Sequence, residues 1–198
     1  LTDDFAFYFM GQRYTSFSVN SNGLMRLGDT PIAANLYGIG TSTAPLLAPF
    51  GGNLATSAVG KVHYKLNGSG TQRALVVEWS NMQLNNASST ADGTFQVRLY
   101  ESTGVVEYVY SFMTLGDGAG LSGYSVGFST GTSAGQYNWV NTNSLTSATS
   151  GLATNTYLAH EPIKNLHSVI NGLRRSFAHH VVNGRRRLVA DFCISHRK

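Results

Sequence analysis

A single cysteine, Cys193, stands in 198 residues. It can form no intrachain disulfide, and cysteine usage leaves the compartment undecided. Charge is scarce, with Asp, Glu, Lys and Arg together making 12% of the chain. No apolar run reaches the roughly 18 residues of a membrane-spanning helix. Nothing repeats at a fixed period, which argues against a solenoid or propeller. Helical hydrophobic periodicity is missing before residue 160. The chain opens at Leu1 with neither a Met nor a signal-peptide pattern, as a processed or excised piece would.

What is present suits short strands joined by tight turns. Gly counts 22, and Ser, Thr and Asn supply polarity in place of charge. A hydrophobic share of 42% with 11% aromatics is enough to fill one core. Strand-like runs follow one another about every ten residues: "FAFYFM" (5–10), "RYTSFSV" (13–19), "LMRLG" (24–28), "PLLAPF" (45–50), "VGKVHYKL" (59–66), "RALVVEWSNM" (73–82), "TFQVRLYE" (94–101), "VVEYVY" (105–110), "GYSVGFST" (123–130) and "YNWV" (137–140). Between the second and third runs, Asn20 to Gly23 tolerate positive φ and predict a hairpin. The pattern predicts an all-β fold, an antiparallel β-sandwich or jelly roll of about nine or ten strands over residues 1–160.

Residues 161–198 differ in style. Leu166, Val169, Ile170, Leu173, Phe177 and Val181 fall at helical spacing, with Asn183-Gly184 as a stop signal. Residues 1–160 hold six basic side chains against eight acidic ones, a net of −2, whereas the tail holds eight against two, a net of +6. The sequence pI of about 9.3 therefore belongs to the tail, and nucleic-acid binding is not expected. Three readings of this segment stay open: a basic amphipathic helix for anionic surfaces, an appendage packed on the sandwich, or sequence foreign to the domain.

Several constellations are candidates for chemistry. "GYSVG" (123–127) satisfies the G-x-S-x-G pattern of serine ester hydrolases. That reaction needs Ser125 on a strand-to-helix turn with an imidazole in reach; His63 or His160 is the candidate base and Asp117 the orienting acid. The residues after Ser125 favour strand over helix, which places Tyr124, Val126 and Phe128 on one face and Ser125 on the other. Asp92 and Asp117 sit in loops where one carboxylate could join carbonyls around calcium, but the ligand density is low. No other metal site and no cofactor is expected. Glu78, Glu101 and Glu107 are strand-borne acids; alternation turns Glu78 and Glu107 outward, so a paired-carboxylate glycosidase is not required to explain them. Tyr37, Tyr137 and Trp139 are the candidate aromatic surface for stacking on a sugar ring.

The order "F-x-F-x-F…GQRYTSFSVNSNGLMRLG", "PLLAPF", "GKVHYKL", "ALVVEWSNM", "TFQVRLYESTGVVEYVY" resembles the extracellular β-sandwich modules of bacterial secreted, multidomain cell-surface proteins. More distantly, residues 1–140 resemble the NIDO domain of nidogen-type adhesion proteins. The resemblance implies a β-sandwich in a surface, adhesive or matrix context, with no catalytic site to carry over. It departs at one point: those modules commonly follow Ala-Pro-Phe with Trp and one or two acids, where this chain has Gly51-Gly52-Asn53. The leading expectation is a secreted or cell-surface, non-catalytic binding module for glycan, matrix or another surface protein. The alternative is a serine esterase or lipase-like hydrolase using Ser125, and a third has the tail docking to anionic surfaces.

Overall fold

The computed structural model describes residues 5–38, 44–87, 89–113 and 124–130 with their side chains, and the backbone of strands 137–143, 157–160, 178–182 and 185–190. The strands in chain order are β1 (Phe7–Phe9), β2 (Gln12–Tyr14), β3 (Phe17–Val19), β4 (Met25–Leu27), β5 (Pro45–Gly51), β6 (Ala55–Asn67), β7 (Ala74–Gln83), β8 (Gly93–Tyr100), β9 (Val106–Met113), β10 (Tyr124–Thr130), β11 (Tyr137–Asn143), β12 (Tyr157–His160), β13 (Ala178–Val182) and β14 (Arg185–Ala190). The described residues contain no helix. The expected tail helix lies partly outside the described residues; its last part, Ala178–Val182, is strand and pairs antiparallel with β14 on the far side of Asn183-Gly184. Two-residue Asn-Gly links favour a hairpin, and His-His-Val-Val suits a strand better than a helix.

Ten expected runs become eleven strands by Asn143, because "RYTSFSV" is not one strand. Its first part forms the β1–β2 hairpin, and its second opens the larger sheet as β3. The β1–β2 loop is Met10-Gly11, both with positive φ (50° and 78°), as a type I′ turn requires. A five-stranded antiparallel sheet runs β11-β10-β5-β4-β3, and a seven-stranded sheet runs β13-β14-β12-β9-β8-β7-β6. Its β12–β14 pair is parallel and its other pairs antiparallel.

Alternation explains how the sheets face each other. Phe95, Val97 and Leu99 of β8 are buried, as are Leu75, Val77 and Trp79 of β7 and Val106, Tyr108 and Tyr110 of β9. They meet Met25, Leu27, Leu47, Phe50, Tyr124, Val126 and Phe128 from the five-stranded sheet in one core, to which Phe5, Phe7 and Phe9 also belong. This is the β-sandwich that the alternation predicts. Phe50 stacks on Tyr124 with ring centroids 4.6 Å apart, and Trp79 stacks on Phe95 at 5.3 Å.

Two buried phenols bridge the layers. Tyr110 donates to the Pro49 carbonyl at 2.6 Å and Tyr108 to the Gly127 carbonyl at 2.7 Å. Both acceptors lie where the β5–β10 register shifts, a place where carbonyls leave the ladder and need another donor. Burial pushes the Tyr108 phenol far above its ordinary range, with a backbone hydrogen bond at Ala48 opposing the shift.

The outer face of the five-stranded sheet is covered by residues 29–38. Leu24, Ala44, Leu46 and Ala48 form a second buried cluster with Ile32 and Leu36. Asn20 and Asn22 hold this flap. The Asn20 amide donates to the carbonyls of Ala33 (3.0 Å) and Leu36 (2.8 Å), and its Oδ1 accepts from the backbone of Asn22 and Leu24. The Asn22 amide donates to the Ala34 carbonyl at 2.8 Å, and its Oδ1 accepts from the Leu54 backbone at 3.2 Å. Neither asparagine takes a positive φ; only Gly23 of the turn does, at 76°.

Arg73 and Glu101 tie the N-terminal segment to the seven-stranded sheet. Arg73 Nε and one guanidinium nitrogen meet the two Glu101 oxygens at 2.6 and 2.7 Å, and the Ala6 N–H donates to Oε1 at 3.0 Å. The guanidinium also lies 5.8 Å over the Phe5 ring. Charge-assisted bonding from Arg73, the largest influence, holds the Glu101 carboxyl below its ordinary 4.5 although burial opposes it. A carboxylate with a depressed folded pKa contributes stability above the unfolded pKa and loses it as pH falls through the folded one. Glu101→Gln should therefore unfold more easily than the parent at pH 7 by about 1–2 kcal/mol, a figure reduced for partial solvent access. The gap should narrow below about pH 4.5. Thermal melts of both chains at pH 7, 5 and 3 measure it, and a gap independent of pH contradicts the assignment.

Candidate recognition face

The strand register decides which side chains share the outer face of the seven-stranded sheet. Val62, Tyr64 and Leu66 of β6 stand opposite Trp79, Val77 and Leu75 and so face inward. Lys61, His63 and Lys65 face outward, opposite Ser80, Glu78 and Val76. Glu78 stands opposite Gln96, and Arg98 opposite Glu107. One row across β6, β7 and β8 therefore reads His63, Glu78, Gln96, and the next row across β8 and β9 reads Arg98, Glu107.

These residues join into one network. His63 Nε2 lies 3.4 Å from Glu78 Oε1, and Gln96 Nε2 donates to Glu78 Oε2. Arg98 Nε donates to Gln96 Oε1 at 2.9 Å, and another of its nitrogens sits 3.5 Å from Glu107 Oε2. The Tyr100 phenol donates to the same Glu107 oxygen at 2.7 Å. Burial raises the Tyr100 pKa first, and its hydrogen bond to Glu107 adds to that. Six polar side chains on four adjacent strands are thus held in set orientations on the outer face, His63 exposed and the other five partly buried. Orientation was legible for Glu78 and Glu107. Their engagement with Gln96, Arg98 and Tyr100 needed the register, which the Ser-Thr-Gly turn after Glu101 carries only implicitly.

The other candidates fall elsewhere. Ser125 lies inside β10, with only 7% of its surface exposed, opposite Gly51. Its hydroxyl donates to the Gly51 carbonyl at 3.4 Å. It does turn away from Tyr124, Val126 and Phe128, but the face it turns to is the one covered by residues 29–38 rather than solvent. A nucleophile elbow needs an exposed Oγ on a strand-to-helix turn, and the surroundings of Ser125 have neither feature. His63 stands on the outer face of the opposite sheet, paired with Glu78. His160 is described only as backbone in β12, opposite Val106. Asp117 lies outside the described residues.

Asp92 is 4% exposed and accepts from the Thr90 hydroxyl at 2.9 Å. Among the described residues, no three His, Cys, Asp or Glu side chains gather into a metal-binding group. Tyr37 is 52% exposed at the end of the flap, and its carbonyl comes close to Gly51. Tyr137 and Trp139 are placed only by backbone, in β11 opposite Ser129 and Gly127 at the edge of the five-stranded sheet. Tyr37, Tyr137 and Trp139 thus belong to the five-stranded layer, not to the polar face.

The glycine at position 51 fits a crowded spot. A Cβ on Gly51 would sit 2.8 Å from Leu24 Cδ2 and 3.1 Å from Ser125 Oγ. A tryptophan or an acid at this position would have to push aside the Leu24 side chain and crowd the Ser125 hydroxyl. No helix of the described residues is long and apolar enough to cross a membrane.

Comparison with curated proteins and with solved structures finds no match. The family model described as "NIDO related" matches residues 3–169, a span that takes in the strands of the sandwich from β1 to β12. The resemblance of "SVNSNG" and "APF" to that fold thereby holds over most of the sequence, and the chain belongs to the NIDO-related family.

Proposed function

We propose that this chain is a non-catalytic extracellular recognition module whose outer seven-stranded face binds glycan on a surface or in a matrix. NIDO-related domains are extracellular, which supports the setting. The observation that carries the reading is the His63–Glu78–Gln96–Arg98–Glu107–Tyr100 network. Sugars present many hydroxyls in fixed directions, and donors and acceptors held in place before binding lose little orientational freedom on contact. The buried setting of Ser125 supports the non-catalytic half of the reading.

A glycan array probed with the full chain, alongside Gln96→Ala and Arg98→Ala, tests it. Binding to a defined glycan set should fall at least tenfold in either variant, with the fold intact by circular dichroism. Hydrolysis of p-nitrophenyl esters should stay at the buffer rate, and Ser125→Ala should change nothing. Ester turnover that Ser125→Ala abolishes would establish the hydrolase instead.

A further inference from the structure

β6 ends the seven-stranded sheet. Its stretch from Lys61 to Asn67 pairs with β7 on one side and, among the described residues, with no strand on the other. Every second residue there directs its N–H and C=O away from the sheet, a ready template for another strand. Upstream the template stops. The β6–β7 register shifts between Thr56 and Lys61, the Ser57 hydroxyl donates to the Asn81 carbonyl at 2.8 Å, and Asn81 takes a φ of 52°.

The two faces of this edge differ in chemistry. Outward stand the exposed Lys61, His63 and Lys65. Inward stands Tyr64, 63% exposed, its ring edge-on to Phe17 of β3 at 5.4 Å, across the opening between the sheets. We propose that this edge binds an extended segment of another protein by strand addition, a segment alternating carboxylate and apolar side chains. Its carboxylates would stand beside Lys61 and Lys65, and its apolar side chains would cover Tyr64.

Charge selects this occupant over two nearer ones. A second copy pairing antiparallel about His63 would set Lys61 against Lys65, a like-charge contact on each side. The chain's own tail holds eight basic residues against two acidic ones. The same lysines that keep the edge from pairing with itself therefore leave it open to an acidic strand.

The inference rests on reading the chain as a recognition module, and it concerns the free edge of β6, which borders the glycan face at His63. The test uses the full chain and a fluorescent ten-residue peptide of alternating Glu and Val, read by polarisation. It should bind at least tenfold tighter than the Lys/Val peptide, and weaken as salt rises. The double variant Lys61→Glu/Lys65→Glu should reverse that preference, and Lys61→Gln/Lys65→Gln should abolish it. Methylating alternate peptide nitrogens should block binding in one pattern and spare it in the other, because only every second N–H enters a ladder. Equal binding of the two peptides, indifference to both methylation patterns, or a dimer formed through β6 in sedimentation would each overturn the proposal. Gln96→Ala and Arg98→Ala, on β8 two strands in from this edge, should lower glycan binding and leave peptide binding unchanged, so the two proposals succeed or fail separately.

Discussion

Gly23→Ala should leave little folded protein, with a loss on the order of 4 kcal/mol or more. A Cβ at Gly23 would stand 1.9 Å from the Phe50 carbonyl oxygen, 2.8 Å from its carbon and 3.2 Å from Leu54 Cδ1. Phe50 cannot retreat easily, because its ring is stacked on Tyr124 and packed against Phe95 in the core. The backbone conformation adds its own cost, since φ is +76°. Gly11 separates the two effects. Its φ is +78°, yet a Cβ there would meet nothing within 4 Å. Gly11→Ala should lose only the left-handed penalty, about 1–2 kcal/mol. Urea unfolding of both variants measures the difference, and equal losses would show that the Phe50 contact does not govern the position.

How much of this could be read beforehand depended on what alternation reports. It reports which way a side chain faces, so Phe95/Val97/Leu99 and the outward Glu78 and Glu107 were legible. Sheet membership is a different matter. "RYTSFSV" alternates without a break, yet the chain leaves one hairpin and enters another sheet between Tyr14 and Phe17. A period of two carries no mark of such a crossing. The covering of Ser125 was hidden for a similar reason. Polar residues of β10 pointing away from the core would face water in a two-layer sandwich, but a segment with no strand pattern, residues 29–38, lies over them. The polar face was half legible. Each member is an ordinary outward residue of its own strand, and only hydrogen-bonded register brings Gln96 beside Glu78 and Arg98 beside Glu107. The asparagines of "SVNSNG" were placed correctly in a turn, but for backbone freedom they do not use. Their side chains reach residues 33–36 and Leu54, partners that no local rule names.

Those reaches give the second large expected effect. Asn20→Asp keeps the shape of the side chain and replaces its two donors by an acceptor. The carboxylate oxygen would then face the carbonyls of Ala33 and Leu36, at the 3.0 and 2.8 Å now spanned by N–H groups. Two lost hydrogen bonds and a buried charge against carbonyl dipoles amount to about 3–5 kcal/mol at pH 7. The loss should spread beyond the flap. The Asn20 carbonyl accepts the Trp79 indole N–H at 2.8 Å, so the same residue anchors the largest side chain of the core. Burial beside carbonyls raises the pKa of the new carboxyl group, and its protonated form regains one donor. The deficit relative to the parent should therefore shrink as pH falls from 7 to 4, the opposite trend in sign from a group with a depressed pKa. Melting curves of Asn20→Asp and Asn20→Ala across that range distinguish the two costs: alanine shares the missing donors and lacks the charge, so its deficit should not change with pH. A pH-independent deficit for aspartate would mean that the flap had opened to solvate the charge, and that Asn20 does not hold residues 33–36 in place.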